Sequence, residues 1–322
     1  MRIGIDMMGG DFAPLETTLG AIQARKELDS RYTLVLIGNE SEIRDILRQH
    51  EADESGFVFV NTTQVIGMAD HPTKSFQQKT DSSIAVGFHL LKEKKIDAFA
   101  SAGNTGAMMV GSMFAVKPVQ GILRPAISSI VPKEDGGVGF ILDVGINADC
   151  KPEVMQQFAI LGSIFAEHVY HINNPKIGLM SIGEEDEKGN ILTKESHQLI
   201  KATPNINFIG NVEGRDMFNN KADVIVCDGF TGNVMLKLAE SFYSLIRKRG
   251  IHDDYFDRFD FENYGGTPVL GVNATVVIAH GISNAKAIKN MILLSKEVVE
   301  AGLSEKISRA LSDTAVSEQL PK

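Results

Sequence analysis

Short apolar runs recur along the chain, most of them unbroken by polar positions: Arg2–Asp6, Thr33–Ile37, Phe57–Val60, Ile96–Ala100, Ile127–Val131, Val138–Asp143, Lys176–Met180, Asn207–Ile209, Asp223–Cys227 and Thr275–Ala279. A strand with one wet face alternates apolar and polar residues, whereas a strand covered on both faces reads as a continuous apolar run. Helical spacing follows Pro14, Thr80, Asn104, Pro152, Thr231 and Ser283. Pro14 and Pro152 sit near a first helical turn, where a missing N–H forfeits no hydrogen bond. Strand and helix in alternation predict an α/β fold: a mainly parallel sheet sandwiched by helices. No fixed-period repeat and no low-complexity linker interrupts the pattern, so residues 1–322 are read as a single α/β/α domain. The least regular stretch is Leu245–Gly266, where basic Arg247-Lys248-Arg249 gives way to the acidic, aromatic run Asp253–Phe261. A segment at about 240–266 is expected to project from the sheet.

Three strand-like runs end in small-residue turns that open helical patterns: Asp6-Met7-Met8-Gly9-Gly10-Asp11, Ser101-Ala102-Gly103-Asn104-Thr105-Gly106, and Asp228-Gly229-Phe230-Thr231-Gly232-Asn233. Each brings a helix N-terminus and bare backbone N–H groups to a strand end, an arrangement that holds phosphate or a developing oxyanion. Any α/β fold needs glycines where strands hand over to helices, so one such turn is equally a tight turn capping a helix. Several in one chain favour an oxyanion site. Gathered at the carboxyl ends of the strands, they would define a cleft.

Composition narrows the class. With 322 residues and 43% hydrophobic positions the chain fills a substantial core, and no apolar run reaches membrane-spanning length. A strand begins at Arg2, which leaves no room for a signal peptide, and two cysteines, Cys150 and Cys227, are too few for a disulfide framework. Both features predict a cytoplasmic protein. The net charge of −9 argues against nucleic-acid binding, yet a local basic patch can still dock an acidic partner.

Phosphate oxygens need cations as well as amides. Candidates are Lys74, Lys79, Arg124, Lys188 and Arg215, each of which is alternatively a solvated surface charge. The run Glu184–Glu187 cannot converge on one metal ion from consecutive positions, and is read as a solvated loop holding Lys188. Cys227 lies in an apolar strand, and Cys150 has no histidine close by in sequence, which disfavours a thiol nucleophile. His280, at the end of a strand, is read either as an acid–base or phosphate ligand or as a capping and core residue.

Taken in order, these segments resemble the phosphate acyltransferases of bacterial phospholipid synthesis, the PlsX family. The stretches that carry the resemblance are Asp6–Pro14, Asp81–Ser83, Ser101–Ala107, Leu142–Glu153, Ile182–Glu185 through Lys188–Asn190, Phe208–Asp216, Val226–Asn233 and Gly265–Asn273. The resemblance implies a fold like that of isocitrate and isopropylmalate dehydrogenases and of phosphotransacetylase, in a homodimer. It implies the transfer of a long-chain fatty acyl group from acyl carrier protein to inorganic phosphate, giving acyl phosphate without metal or organic cofactor. It further implies peripheral contact with the inner face of the membrane and a glycerol-3-phosphate acyltransferase as partner. Under it, Lys188 and Asn233 are assigned as catalytic: Lys188 with the Gly103–Gly106 backbone on phosphate, Asn233 on the carbonyl oxyanion or the incoming thioester. Gly9, Gly10, Asp11, Gly103, Asn104, Thr105, Gly106, Gly229, Thr231, Gly232 and His280 are assigned to substrate binding. Arg247, Lys248 and Arg249 are assigned to carrier docking, or else they complement the dipole at a helix C-terminus.

Three departures stand out. Phe12 replaces a histidine common in the first turn, Gln77 and Gln78 stand where relatives are more basic, and Leu245–Gly266 is short and acidic where relatives have an amphipathic hairpin. Two competing readings are a phosphotransacetylase-like enzyme using acyl-coenzyme A and a non-catalytic membrane scaffold for lipid-synthesis enzymes; intact glycine turns speak against the scaffold.

Overall fold

The computed structural model describes residues 1–318. Along the chain run β1 (Arg2–Asp6), α1 (Leu15–Glu27), β2 (Thr33–Gly38), α2 (Glu40–Gln49), β3 (Phe57–Asn61), α3 (Pro72–Gln78), α4 (Ser83–Lys92), β4 (Ala98–Ser101) and α5 (Thr105–Gly111), which a π-helical turn extends through Val116. There follow β5 (Ala126–Pro132), β6 (Val138–Leu142), α6 (Pro152–His168), β7 (Lys176–Met180), α7 (Ile191–Ala202), β8 (Asn207–Val212), β9 (Val224–Val226) and α8 (Gly229–Lys248). The last elements are β10 (Thr267–Leu270), β11 (Thr275–Ile278), α9 (Ala285–Glu300) and α10 (Leu303–Glu318).

The chain divides into two compact units, Met1–Pro118 with Phe261–Glu300, and Val119–Asp260 with Ala301–Lys322. In the first, the strand order is β3-β2-β1-β4-β11-β10. Every pairing is parallel except β10 with β11. Ile3, Ile5, Leu34, Leu36, Phe88 and Phe99 fill its core. Helix α1 buries a face of small residues, Thr17, Thr18, Gly20, Ala21 and Ala24. A glycine inside a helix ordinarily costs about 1 kcal/mol relative to alanine. Here a Cβ at Gly20 would lie 2.5 Å from Ile288 Cβ, so glycine is what lets α1 meet α9.

The second unit carries the order β5-β6-β9-β7-β8, parallel apart from the β5–β6 hairpin. Phe140, Phe158 and Phe165 lie fully buried within it, with α6 burying most of its length. Helix α8 behaves differently. Phe230, Val234, Leu238, Phe242 and Leu245, at helical spacing on one stripe, are each half or more exposed. After α8 the chain returns to its own unit, where Tyr255 Oη donates to the Pro132 carbonyl at 3.2 Å, an Arg258 Nη donates to the Lys133 carbonyl at 2.9 Å, and Phe259 packs edge-on against Phe218.

The α/β class expected from the apolar runs is the fold observed. β10 escaped the pattern because Pro268 sits inside it, and proline normally argues against a strand interior. α8 begins at Gly229, earlier than the apolar spacing indicates, because the Asp228 side chain caps it by accepting from the Thr231 amide at 2.8 Å.

Candidate active site

In the first unit the turn after β1 and the turn after β4 interlock through one buried acid. Asp6 accepts from the Met8 amide at 3.0 Å and from Ser101 Oγ at 2.6 Å, and Ser101 Oγ accepts from the Gly103 amide at 2.9 Å. Burial pushes the Asp6 carboxyl above the usual carboxylate range, while its hydrogen bonds, Ser101 foremost, pull the other way. A Cβ on Gly9 would lie 2.3 Å from Asp6 Oδ2 and 2.7 Å from the Gly103 nitrogen, so only glycine allows the two turns to touch. Asp11 joins them by donating its amide to the Gly281 carbonyl at 2.7 Å, beside His280, whose ring packs tilted against Phe261 at 4.8 Å. Gly9, Gly10, Asp11, Gly103 and His280 are thus brought to one end of this sheet.

Asn104 has a structural task at that end. It is buried, its Oδ1 caps α5 by accepting from Ala107 N at 2.9 Å, and its Nδ2 donates to the carbonyls of Gly67, Met68 and Asp70. Its side-chain donors are therefore committed to the protein. What the turn leaves toward an anion is the first-turn amides of Thr105 and Gly106, which have no acceptor inside the helix.

The second unit repeats the device. Asp143, fully buried at the end of β6, accepts from Ile127 N at 3.0 Å, Asn147 N at 2.6 Å and Asn147 Nδ2 at 3.0 Å. Burial again raises its carboxyl above the ordinary range, against those donors. The loop it ties down closes over the start of α8. Gly229 N donates to the Asn147 carbonyl at 2.8 Å and Gly145 N to the Gly229 carbonyl at 2.9 Å. A Cβ on Gly232 would lie 2.0 Å from the Asp143 carbonyl oxygen, which makes that glycine obligatory. Gly145 has φ +90°, and a Cβ there would lie 3.3 Å from Asn233 Oδ1, so the bare backbone of Gly145 and the Asn233 side chain are neighbours. Thr231 Oγ1 donates to the capping Asp228 at 2.8 Å. Gly229, Thr231, Gly232 and Asn233 therefore stand together with Asp143, Gly145 and Asn147, three residues not singled out by the sequence reading. Their signal was the strand-ending string Asp143-Val144-Gly145, which has the same shape as the turns that were singled out.

This geometry predicts the outcome of Asp143→Asn. Whichever position the amide nitrogen takes, it meets an N–H donor, so the variant is expected to lose on the order of 1–3 kcal/mol of stability. Denaturant unfolding measures it. An unshifted midpoint would show that the carboxyl already carries a proton and forgoes one of these bonds.

Lys188 lies exposed in the loop between β7 and α7. Its amide donates to the Glu185 carbonyl at 3.0 Å, and its stem crosses Gly183, where a Cβ would lie 2.8 Å from Lys188 Cγ. Lys74 is likewise exposed, whereas the other three candidate cations are engaged within the protein. Lys79 pairs with Asp70 at 2.6 Å, Arg124 donates to the Asp149 carbonyl at 3.2 Å, and Arg215 pairs with Glu184 and Glu213. Glu184, Glu213 and Asp216 place carboxylate oxygens within 4.8 Å of one another, and Lys221, bonded to Glu184 at 2.8 Å and Asp216 at 3.0 Å, neutralises them along with Arg215. At the end of α8, Arg247 bonds His252 and Asp257, while Lys248 and Arg249 are exposed. Both thiols are held protonated: burial pushes Cys150 up to about 11, assisted by the Asp143 and Asp228 carboxylates, and raises buried Cys227 well above the ordinary value. No described helix is long and apolar enough to cross a membrane.

Comparison with known proteins shows the family. A family profile described as "Fatty acid synthesis protein" matches residues 1–251 and 245–306. The chain is 45% identical over 331 aligned positions to the phosphate acyltransferase of Dictyoglomus thermophilum, covering 97% of this chain and 98% of that one. It is 42% identical to the phosphate acyltransferase of Desulforamulus reducens, covering 99% and 100% of the two chains. Among solved structures, a phosphotransacetylase from Streptococcus pyogenes aligns with TM-score 0.66 at 15% identity over 92% of this chain and 94% of that one. EutD phosphotransacetylase from Staphylococcus aureus aligns with TM-score 0.63 at 14% identity over the same shares, 92% and 94%, a likeness of fold. On the length and identity of these matches, the chain belongs to the phosphate acyltransferase family, transferase enzymes of fatty acid synthesis.

Proposed function

We propose that this enzyme moves a long-chain fatty acyl group from acyl carrier protein to inorganic phosphate, producing acyl phosphate for phospholipid synthesis, with no metal or organic cofactor. The observation that carries the reading is the start of α8, where the exposed Asn233 side chain stands beside Gly145 in a loop tied down by Asp143 and Asn147. Donors fixed before the reaction stabilise a developing oxyanion without reorganising, which is why they accelerate acyl transfer. A phosphate oxygen attacks the thioester carbonyl carbon, the tetrahedral oxyanion collapses, the C–S bond breaks, and the thiolate leaves on the carrier. Phosphate is a competent nucleophile, so the protein need only orient it and offset charge repulsion.

We assign the roles residue by residue. Asn233 receives the carbonyl oxygen, while Gly229, Thr231 and Gly232 shape the turn that presents it, their amides spent on the Asn147 carbonyl and on Asp228. In the second unit Lys188 is assigned to phosphate; in the first, the turn Gly103–Gly106, bordered by Gly9, Gly10, Asp11 and His280, is assigned to substrate binding. The exposed stripe of α8 supports a homodimer, and Lys248 and Arg249, with Arg247 behind them, supply the positive surface for an acidic carrier. The test is a side-by-side comparison of palmitoyl-carrier protein and palmitoyl-coenzyme A with saturating phosphate, following thiol release. A higher kcat/KM for the carrier thioester is expected; preference for the coenzyme A thioester would make the enzyme phosphotransacetylase-like.

Because both thiols are held protonated, replacing Cys150 and Cys227 together by alanine is expected to leave kcat within about tenfold of wild type once the folded fraction is measured. Isolation of an acyl-cysteine at either position would overturn the phosphate nucleophile.

A further inference from the structure

Arg124, among the cations the sequence offers for phosphate, stands at the edge of the second unit that carries Asn233 and Lys188. Because β5 runs antiparallel to β6, its amino end meets the carboxyl ends of β6, β9 and β7: Ser128 pairs with Leu142, Leu142 with Val226, and Val226 with Leu179. Beyond that row lie Arg124 just before β5, Asn233 in the helix after β9, and Lys188 in the loop after β7. Neighbouring strands are about 4.8 Å apart, so along this edge Asn233 has a lysine one strand away on one side and an arginine two strands away on the other. Ligands of open α/β sheets bind beyond such an edge.

The backbone around Arg124 is held without help from its side chain. Leu123 N donates to Gln157 Oε1 at 2.8 Å, Gln157 Nε2 donates to the Gly121 carbonyl at 2.7 Å, Asn147 Nδ2 donates to the Pro125 carbonyl at 2.9 Å, and Ile127 N donates to Asp143 Oδ1 at 3.0 Å. The guanidinium itself is exposed, and Nη1 donates to the Asp149 carbonyl at 3.2 Å. Among the described residues no carboxylate pairs with it. A guanidinium carries five N–H donors in a planar fork, so most remain for a ligand. The single bond fixes where the charge sits, because Asp149 ends the loop that Asp143 and Asn147 tie down and whose Gly145 stands beside Asn233.

Acids stand at the same edge. Asp149 and Asp228 are not buried, and their carboxylates repel an approaching anion. Cys150 registers both signs of charge: burial first, then Asp143 and Asp228, push its thiol up, and Arg124 pulls the other way. A multiply charged phosphate entering this field is offset by Lys188 from one side only. We propose that Arg124 is a substrate-binding residue of the acyl-transfer site, its remaining N–H groups taking two oxygens of a phosphate group at the edge position across Asn233 from Lys188. The guanidinium fork matches phosphate bidentately, which a lysine cannot do. Two substrates of the proposed reaction carry such a group: inorganic phosphate itself, and the phosphodiester that joins the thioester arm to its carrier. The assignment rests on the proposed acyl transfer at Asn233.

Arg124→Gln and Arg124→Lys are compared with the full-length wild-type protein by denaturant unfolding, by calorimetric titration with inorganic phosphate, and by kcat/KM for two donors. One donor is palmitoyl-carrier protein; the other is palmitoyl-pantetheine, which has the same thioester and no phosphate. The unfolding midpoint of Arg124→Gln is expected to stay in place, since Gln157, Asn147 and Asp143 hold the segment. Binding is expected to fall on the order of tenfold or more, the scale of hydrogen bonds to a charged group. Weaker phosphate affinity, with both donors slowed alike, upholds the proposal with inorganic phosphate as the ligand. A loss confined to palmitoyl-carrier protein, with phosphate affinity intact, upholds it with the phosphodiester as the ligand. Arg124→Lys, which keeps the charge without the fork, is expected to recover part of either loss. A folded Arg124→Gln protein with wild-type phosphate affinity and wild-type kcat/KM for both donors overturns it. Should the wild-type protein release no thiol from either donor, the acyl-transfer reading falls separately, while the phosphate titration still upholds or overturns Arg124 as an anion ligand.

Discussion

Replacing Asn233 with alanine is expected to lower kcat by on the order of 10²-fold or more, the loss typical of one preorganised oxyanion donor. The side chain is exposed beside Gly145, so its truncation leaves no buried group unpaired and the fold should be unaffected. That separation makes the prediction sharp. The loss must fall on kcat, because the oxyanion exists only once the carbonyl has been attacked, and the KM for phosphate should hardly move. Asn233→Asp is the companion variant: it keeps the shape but offers the oxyanion a carboxylate, and should be at least as slow. A folded Asn233→Ala protein turning over near the wild-type rate would place the oxyanion elsewhere.

Lys188→Ala is expected to cost a similar factor, on the order of 10²-fold in kcat/KM for phosphate, since one fixed cation facing a multiply charged nucleophile is removed. Lys188 stands apart from the candidate cations that have partners at fixed distances, Lys79 with Asp70 and Arg215 with Glu184. Its exposure again predicts little change in stability. Phosphate saturation curves decide the matter: a variant with unchanged kcat/KM for phosphate would hand the role to another group.

The strands could be read because most are covered on both faces, and a covered strand leaves a short apolar run bounded by turn residues. β10 could not, because its pairing with β11 tolerates Pro268, a residue that local pattern counts against a strand. The glycine turns were legible as a type but not in their division of labour. Asn104 and Asn233 look alike in sequence, each following a glycine turn and opening a helix. Only packing shows that the first spends its amide on the carbonyls of Gly67, Met68 and Asp70 while the second stands exposed beside Gly145. The buried acids were missed for a related reason. Asp6 and Asp143 read as ordinary strand ends, and their function of gathering amides from distant turns depends on contacts such as Asp6 with Ser101 or Asp143 with Ile127.

The central claim, that phosphate itself attacks the carrier-bound acyl group, is tested most directly by following radiolabelled phosphate. The purified protein is incubated with palmitoyl-carrier protein and labelled inorganic phosphate, and the organic extract is assayed for label that hydroxylamine releases. The account predicts label entering the extract in step with free carrier thiol, with no thiol released when phosphate is omitted. Thiol release that continues at the same rate without phosphate, and leaves no label in the extract, would contradict it.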